Sequence, residues 1–129
     1  MSNALPDHVC RLIEETVPTL EALEIVLLVA RDPGREWHPR AILPLLQPGL
    51  ATEGSVHEYL RVLAEHGLGS VTADRFVYGP RSPELTSAVE GLILAYHQRP
   101  VTLIRTVYAA ADVKNIRSFA EAFRLRRHR

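Results

Sequence analysis

Residues Leu60–Pro80 read LRVLAEHGLGSVTADRFVYGP. An apolar helical rhythm runs up to Gly67 and stops there. Two extended runs follow, Ser70-Val71-Thr72 and Arg75-Phe76-Val77-Tyr78, with Ala73-Asp74 between them. Gly67 suits the residue just past a helix C-terminus, where a left-handed backbone costs glycine least. Alternating β-formers on either side of a short polar link predict a hairpin. The stretch is therefore a helix that ends abruptly into a small β-hairpin.

Working upstream, Val56, Tyr59, Leu60 and Leu63 give that helix its inward stripe, and Thr52 is placed to cap it. Leu50 and Val56 have the look of a hydrophobic staple across the cap. Glu36-Trp37-His38-Pro39 precedes it, with Pro39 suited to the first turn of a helix and Pro44 predicting a short or kinked one. A third piece of sheet is expected from Glu36-Trp37. Further back, Thr19 caps a run in which Leu20, Leu23, Ile25, Val26, Leu27, Leu28 and Val29 are apolar almost all round, the pattern of a buried central helix. Glu24 interrupts that run and predicts an ion-pair partner, such as an arginine. Asp7 is expected to cap a first helix carrying Val9, Leu12, Ile13 and Val17. Downstream of Pro83, helical spacing resumes in Leu85, Val89, Leu92, Ile93 and Tyr96. It restarts after Pro100 in Leu103, Ile104, Val107, Tyr108 and Ala111, and again in Ile116, Phe119, Ala120 and Phe123.

The predicted class is mainly α with a small β-hairpin (α+β). The expected organisation is a first unit over residues 1–83 and a helical extension with a basic tail over residues 84–129. Trp37, Leu60, Leu63 and Phe76 are expected to share one hydrophobic cluster. The 129-residue chain is 47% hydrophobic, enough for one ordinary core. The longest wholly apolar run, Ile25–Ala30, is far short of the ~20 residues of a membrane span. The N-terminal residues lack the charged-then-apolar pattern of a secretory leader. Cys10 is the single cysteine, so no internal disulfide forms, and the expected location is the cytoplasm.

The order helix, short strand, helix, turn, helix, hairpin, carried by EWHPRAILPLL, SVHEYLRVLAEHGLG and the closing FVYGP, resembles the bacterial winged helix-turn-helix transcriptional regulators of the MarR-like and TrmB-like kind. The resemblance covers residues 19–80 and rests on element order and on the YLxxLxxxGL pattern before a hairpin. It implies a winged helix-turn-helix core with added N- and C-terminal helices, and a DNA-binding regulator that reads duplex DNA with the helix around 52–66 and a wing around 70–78. Carried onto this sequence, the expected DNA-contacting residues are Arg40, Thr52, Ser55, His57, Arg61 and Arg75. Arg61 could grip guanine with two parallel hydrogen bonds, and Thr52 and Ser55 could bond phosphates near a helix N-terminus.

Charge argues the other way. The net charge is zero, but residues 1–99 hold eight arginines against thirteen acids, a net of −5. Residues 100–129 hold seven basic residues against Asp112 and Glu121, a net of +5. Glu53, Glu58 and Glu65 sit on or beside the supposed reading helix, where phosphate would meet them unfavourably. The alternative is a winged-helix module that docks on a protein partner. The tail Arg124-Leu125-Arg126-Arg127-His128-Arg129 is either a phosphate-binding arm or a solvated end. No glycine-rich phosphate loop, nucleophile elbow or HExxH motif is present, and the six histidines lack recognised ligand spacings, so neither an enzyme, a metal nor a cofactor is expected. The apolar stripes beyond residue 84 exceed what a small core can cover, which predicts a homodimer built mainly by residues 84–123.

Overall fold

A computed structural model describes residues 5–112. The chain runs α1 (Asp7–Glu15), α2 (Leu20–Ala30), β1 (Glu36–Trp37), α3 (Pro39–Ile42), a 3-10 turn (Leu43–Leu45), α4 (Glu53–Glu65), β2 (Gly69–Thr72), β3 (Arg75–Tyr78) and α5 (Pro83–Gln98). Residues 100–112 are helical and are called α6 here. The architecture is α+β, mainly helical, with one three-stranded antiparallel sheet in the order β1-β3-β2. Trp37 pairs with Phe76 across β1 and β3, and Val71 pairs with Phe76 across β2 and β3. The short Glu36-Trp37 run thus completes a sheet that the hairpin alone would leave at two strands.

Local chemistry accounts for most boundaries. Thr19 caps α2 by accepting from the Ala22 N–H at 3.1 Å. His38 caps α3, its Nδ1 accepting from the Arg40 N–H. Pro44 lacks the N–H that an α-helix needs at that position, so α3 ends after four residues and tightens into the 3-10 turn. Gly67 has φ +84°, the left-handed conformation that closes α4. Two expectations need correction. Asp7 is the first helical residue of α1, not its cap; Pro6 holds that place with no side-chain hydrogen bond. The residue just before the Thr52 cap is Ala51, which packs on the core, so Leu50 lies one position too early for the staple.

One cluster of buried apolar side chains runs from Leu5 to Val107. Trp37, Leu60, Leu63 and Phe76 all belong to it, at 3% exposure or less. Arg35 lies over the Trp37 ring at 3.8 Å, closing the outer face of the indole. Helix α1 packs chiefly on α5, and Gly91 is what lets them approach, since a Cβ there would lie 2.6 Å from a Val9 methyl. Tyr59 ties α4 to the end of α1 by donating to the Thr16 carbonyl at 2.6 Å. No ion-pair partner for Glu24 is found among the described residues; the residue is partly buried. Nor is the 103–111 stripe a single face. Leu103 and Val107 are buried, whereas Ile104 and Tyr108 point outward. The Ile116–Phe123 stripe and the Arg124–Arg129 tail lie outside the described residues. Among the described residues no helix is long and apolar enough to cross a membrane.

Candidate functional site: the α4–hairpin face

The outer face of α4, the start of α3 and the tip of the β2–β3 hairpin meet on one surface. Helix α4 presents His57, Glu58, Arg61 and Glu65 outward because Val56, Leu60 and Leu63 are drawn into the core. The hairpin tip is a two-residue turn in which Ala73 and Asp74 both have positive φ, 50° and 65°, as a type I′ turn requires. It brings Asp74 to 3.6 Å from His57 Nε2, joining the tip to α4. Arg40, at the start of α3, reaches Glu53 of α4 at 3.2 Å. A polar cleft of about 520 Å³ opens between these three pieces, lined by His38, Arg40, Glu53, Gly54, His57 and Asp74.

Four of the six residues expected to touch DNA are basic, and each stands beside a carboxylate. Arg61 donates to Glu58 at 2.7 Å and lies 3.9 Å from Glu65. That hydrogen bond and the guanidinium charge hold the Glu58 carboxyl below its usual range, and Glu58 and Glu65 raise the arginine in return. Arg75 pairs with Glu36 at 3.5 Å, Arg40 with Glu53 and His57 with Asp74. The surface therefore sets three arginines and one histidine against five carboxylates.

The other two expected contacts, Thr52 and Ser55, form a reciprocal capping box. Thr52 Oγ1 accepts from the Ser55 N–H at 3.1 Å, and Ser55 Oγ accepts from the Thr52 N–H at 2.9 Å. The Ser55 hydroxyl also donates to the Thr52 carbonyl. These hydroxyls fix the helix start and are largely occupied there. The sequence points to Thr52 as the cap, and the structure adds Ser55 as its return partner.

Sequence reasoning also missed a small apolar slot between α4 and the hairpin. It measures about 170 Å³ and is walled by Pro39, Leu60, Val71 and Phe76, with His57, Arg61 and Asp74 at its rim. Val71 is 39% exposed although it lies in a strand. The signal was available: in β2 only Val71 is a large apolar residue, and it sits on the strand pair opposite the core-facing Phe76. No family model, curated protein or solved structure matches the chain.

Proposed function

We propose that the domain is a winged helix whose α4–hairpin face docks a protein segment, in the manner of a regulatory interaction module. The order α2, β1, α3, α4, β2, β3 supports the winged-helix reading. The observation that carries the docking reading is the composition of the face, an apolar slot rimmed by basic side chains each already paired with a carboxylate, with carboxylates in excess. Interfaces between proteins are built this way, with a small desolvated anchor site inside a polar rim. A duplex, by contrast, draws most of its affinity from basic groups that displace counterions at phosphates. Here each phosphate approaching an arginine would also approach that arginine's carboxylate partner. The partner chemistry that fits is a segment offering one aliphatic or aromatic side chain to the slot, flanked by charges of both signs.

Duplex DNA is the second reading, favoured by the placement of Arg40, His57 and Arg61 around one contiguous surface. One pair of titrations separates the two. Random duplex DNA is titrated into the full chain over a salt series, and peptides selected on the immobilised protein are titrated by backbone NMR. Docking predicts peptide-induced shifts centred on Leu60, Val71 and Phe76, and no duplex binding tighter than the ~10⁻⁴–10⁻⁶ M typical of nonspecific contact. Sequence-preferring duplex binding that weakens on Arg61→Ala would reverse the order of the two readings.

A further inference from the structure

Helix α6 is apolar on two sides. Leu103 and Val107 are buried in the body of the protein. On the other side Val101, Ile104 and Tyr108 are 61%, 37% and 55% exposed. With half-buried Ala111 they recur at intervals of three, four and three residues, the spacing of a seam between two packed helices. A surface helix needs one apolar face to hold it to its core, so the second face is surplus to packing among the described residues.

An apolar groove of about 300 Å³ lies beside this seam, with Pro18, Leu20 and Leu50 on one wall and Val107, Tyr108 and Ala111 on the other. Glu21 also lines it, and one oxygen of its carboxylate is buried without a hydrogen-bond partner among the described residues. A buried acceptor left unpaired is costly, and a basic side chain carried into the groove on an apolar helix would relieve it. The groove therefore asks for an occupant that is both apolar and basic.

We propose that the seam and the groove together form the contact surface of a homodimer. Helix α6 of one copy packs antiparallel along α6 of the other, and the exposed Arg105 beside the seam reaches the groove at the partner's Glu21. Two features favour a second copy. The seam is self-complementary under a two-fold axis that sets Ile104 beside the partner's Tyr108 and Val101 beside the partner's Ala111. The charges are also complementary, because each chain holds a −5 portion over residues 1–99 and a +5 portion over residues 100–129.

Sedimentation equilibrium of the full chain at micromolar concentrations tests this. The expected result is a species of twice the 14.4 kDa chain mass. A Val101→Asp, Tyr108→Asp variant is expected to weaken association at least ~100-fold, as removal of central interface anchors does, with unchanged far-ultraviolet circular dichroism. Should that variant fail to fold, the single exposed change Tyr108→Lys takes its place. Glu21→Gln is expected to leave the dimer weaker and less sensitive to salt. A wild-type chain that stays at 14.4 kDa overturns the proposal, as does a seam variant that dimerises like wild type. A monomer that Glu21→Gln destabilises would also overturn it, by showing that the chain's own C-terminal residues occupy the groove.

Discussion

The Tyr59 hydroxyl joins residues 43 positions apart by its hydrogen bond to the Thr16 carbonyl. Tyr59→Phe leaves that carbonyl without its donor, and the expected loss is ~1–2 kcal/mol in urea unfolding. The same site governs behaviour in alkali. Burial, with Glu21 adding to it, pushes the Tyr59 phenol far above its ordinary range, and burial with Glu90 raises Tyr78 to about 12. Both phenols ionise near 10 in the unfolded chain. Above pH 10 the unfolded state therefore holds fewer protons than the folded one, and stability falls as pH rises. The urea midpoint should be level between pH 7 and pH 9 with respect to these groups, and decline from about pH 10 to about pH 12. A midpoint unchanged at the top of that window would show that the phenols are solvated. At the hairpin tip, Ala73 holds a left-handed backbone with φ 50°, a conformation that costs an alanine ~1–2 kcal/mol. Ala73→Asn or Ala73→Gly should accordingly raise the thermal midpoint, and a lower midpoint for both would show that the alanine methyl packs usefully.

Helix α4 is held by its cap at one end and its buried stripe along one side. Thr52→Ala should cost ~1 kcal/mol, because the Ser55 N–H loses its acceptor. Leu60→Ala should cost ~2–5 kcal/mol, because Leu60 is 3% exposed inside the main cluster. A loss under half of the lower figure would mean that the surrounding side chains collapse into the space. These elements were legible in the sequence because local chemistry dictates them. Thr19 and Thr52 cap, Pro44 breaks, Gly67 turns left-handed, and apolar residues recur at helical spacing. The start of α1 was less legible, since Pro6 ends the preceding extended segment without offering an acceptor, and Asp7 looked like the better cap. The site was legible as a list of residues and not as a surface. Arg40, His57, Arg61 and Arg75 were chosen for their positions along the elements. Whether each met phosphate or carboxylate depended on Glu53 and Glu58 within α4, and on Asp74 and Glu36 brought in by the sheet. Only chain crossing places those last two. The apolar slot under Val71 likewise needs β2, β3 and α4 assembled before it exists.

On the scale of the whole molecule, the α4–hairpin face and the outward side of α6 are built from different elements, so the two can be disabled separately. Val71→Asp puts a charge into the slot at an exposed strand position. It should abolish peptide docking while leaving the unfolding free energy within ~0.5 kcal/mol of wild type, as surface changes usually do. A collapse of stability instead would mean that Val71 belongs to the core. The packing of α1 on α5 has a further consequence, and it concerns synthesis. Ribosomes deliver α1 before α5, with Val9, Leu12 and Ile13 ready to be buried. The surface they pack against most, on α5, begins only at Pro83. At ~5–20 residues per second, that partner follows after an interval on the order of several seconds. The nascent chain therefore carries an uncovered apolar helix while the remaining elements are still being made. The moment when α5 closes over Val9, with Gly91 admitting the methyl, is the moment when this segment loses its exposed apolar surface.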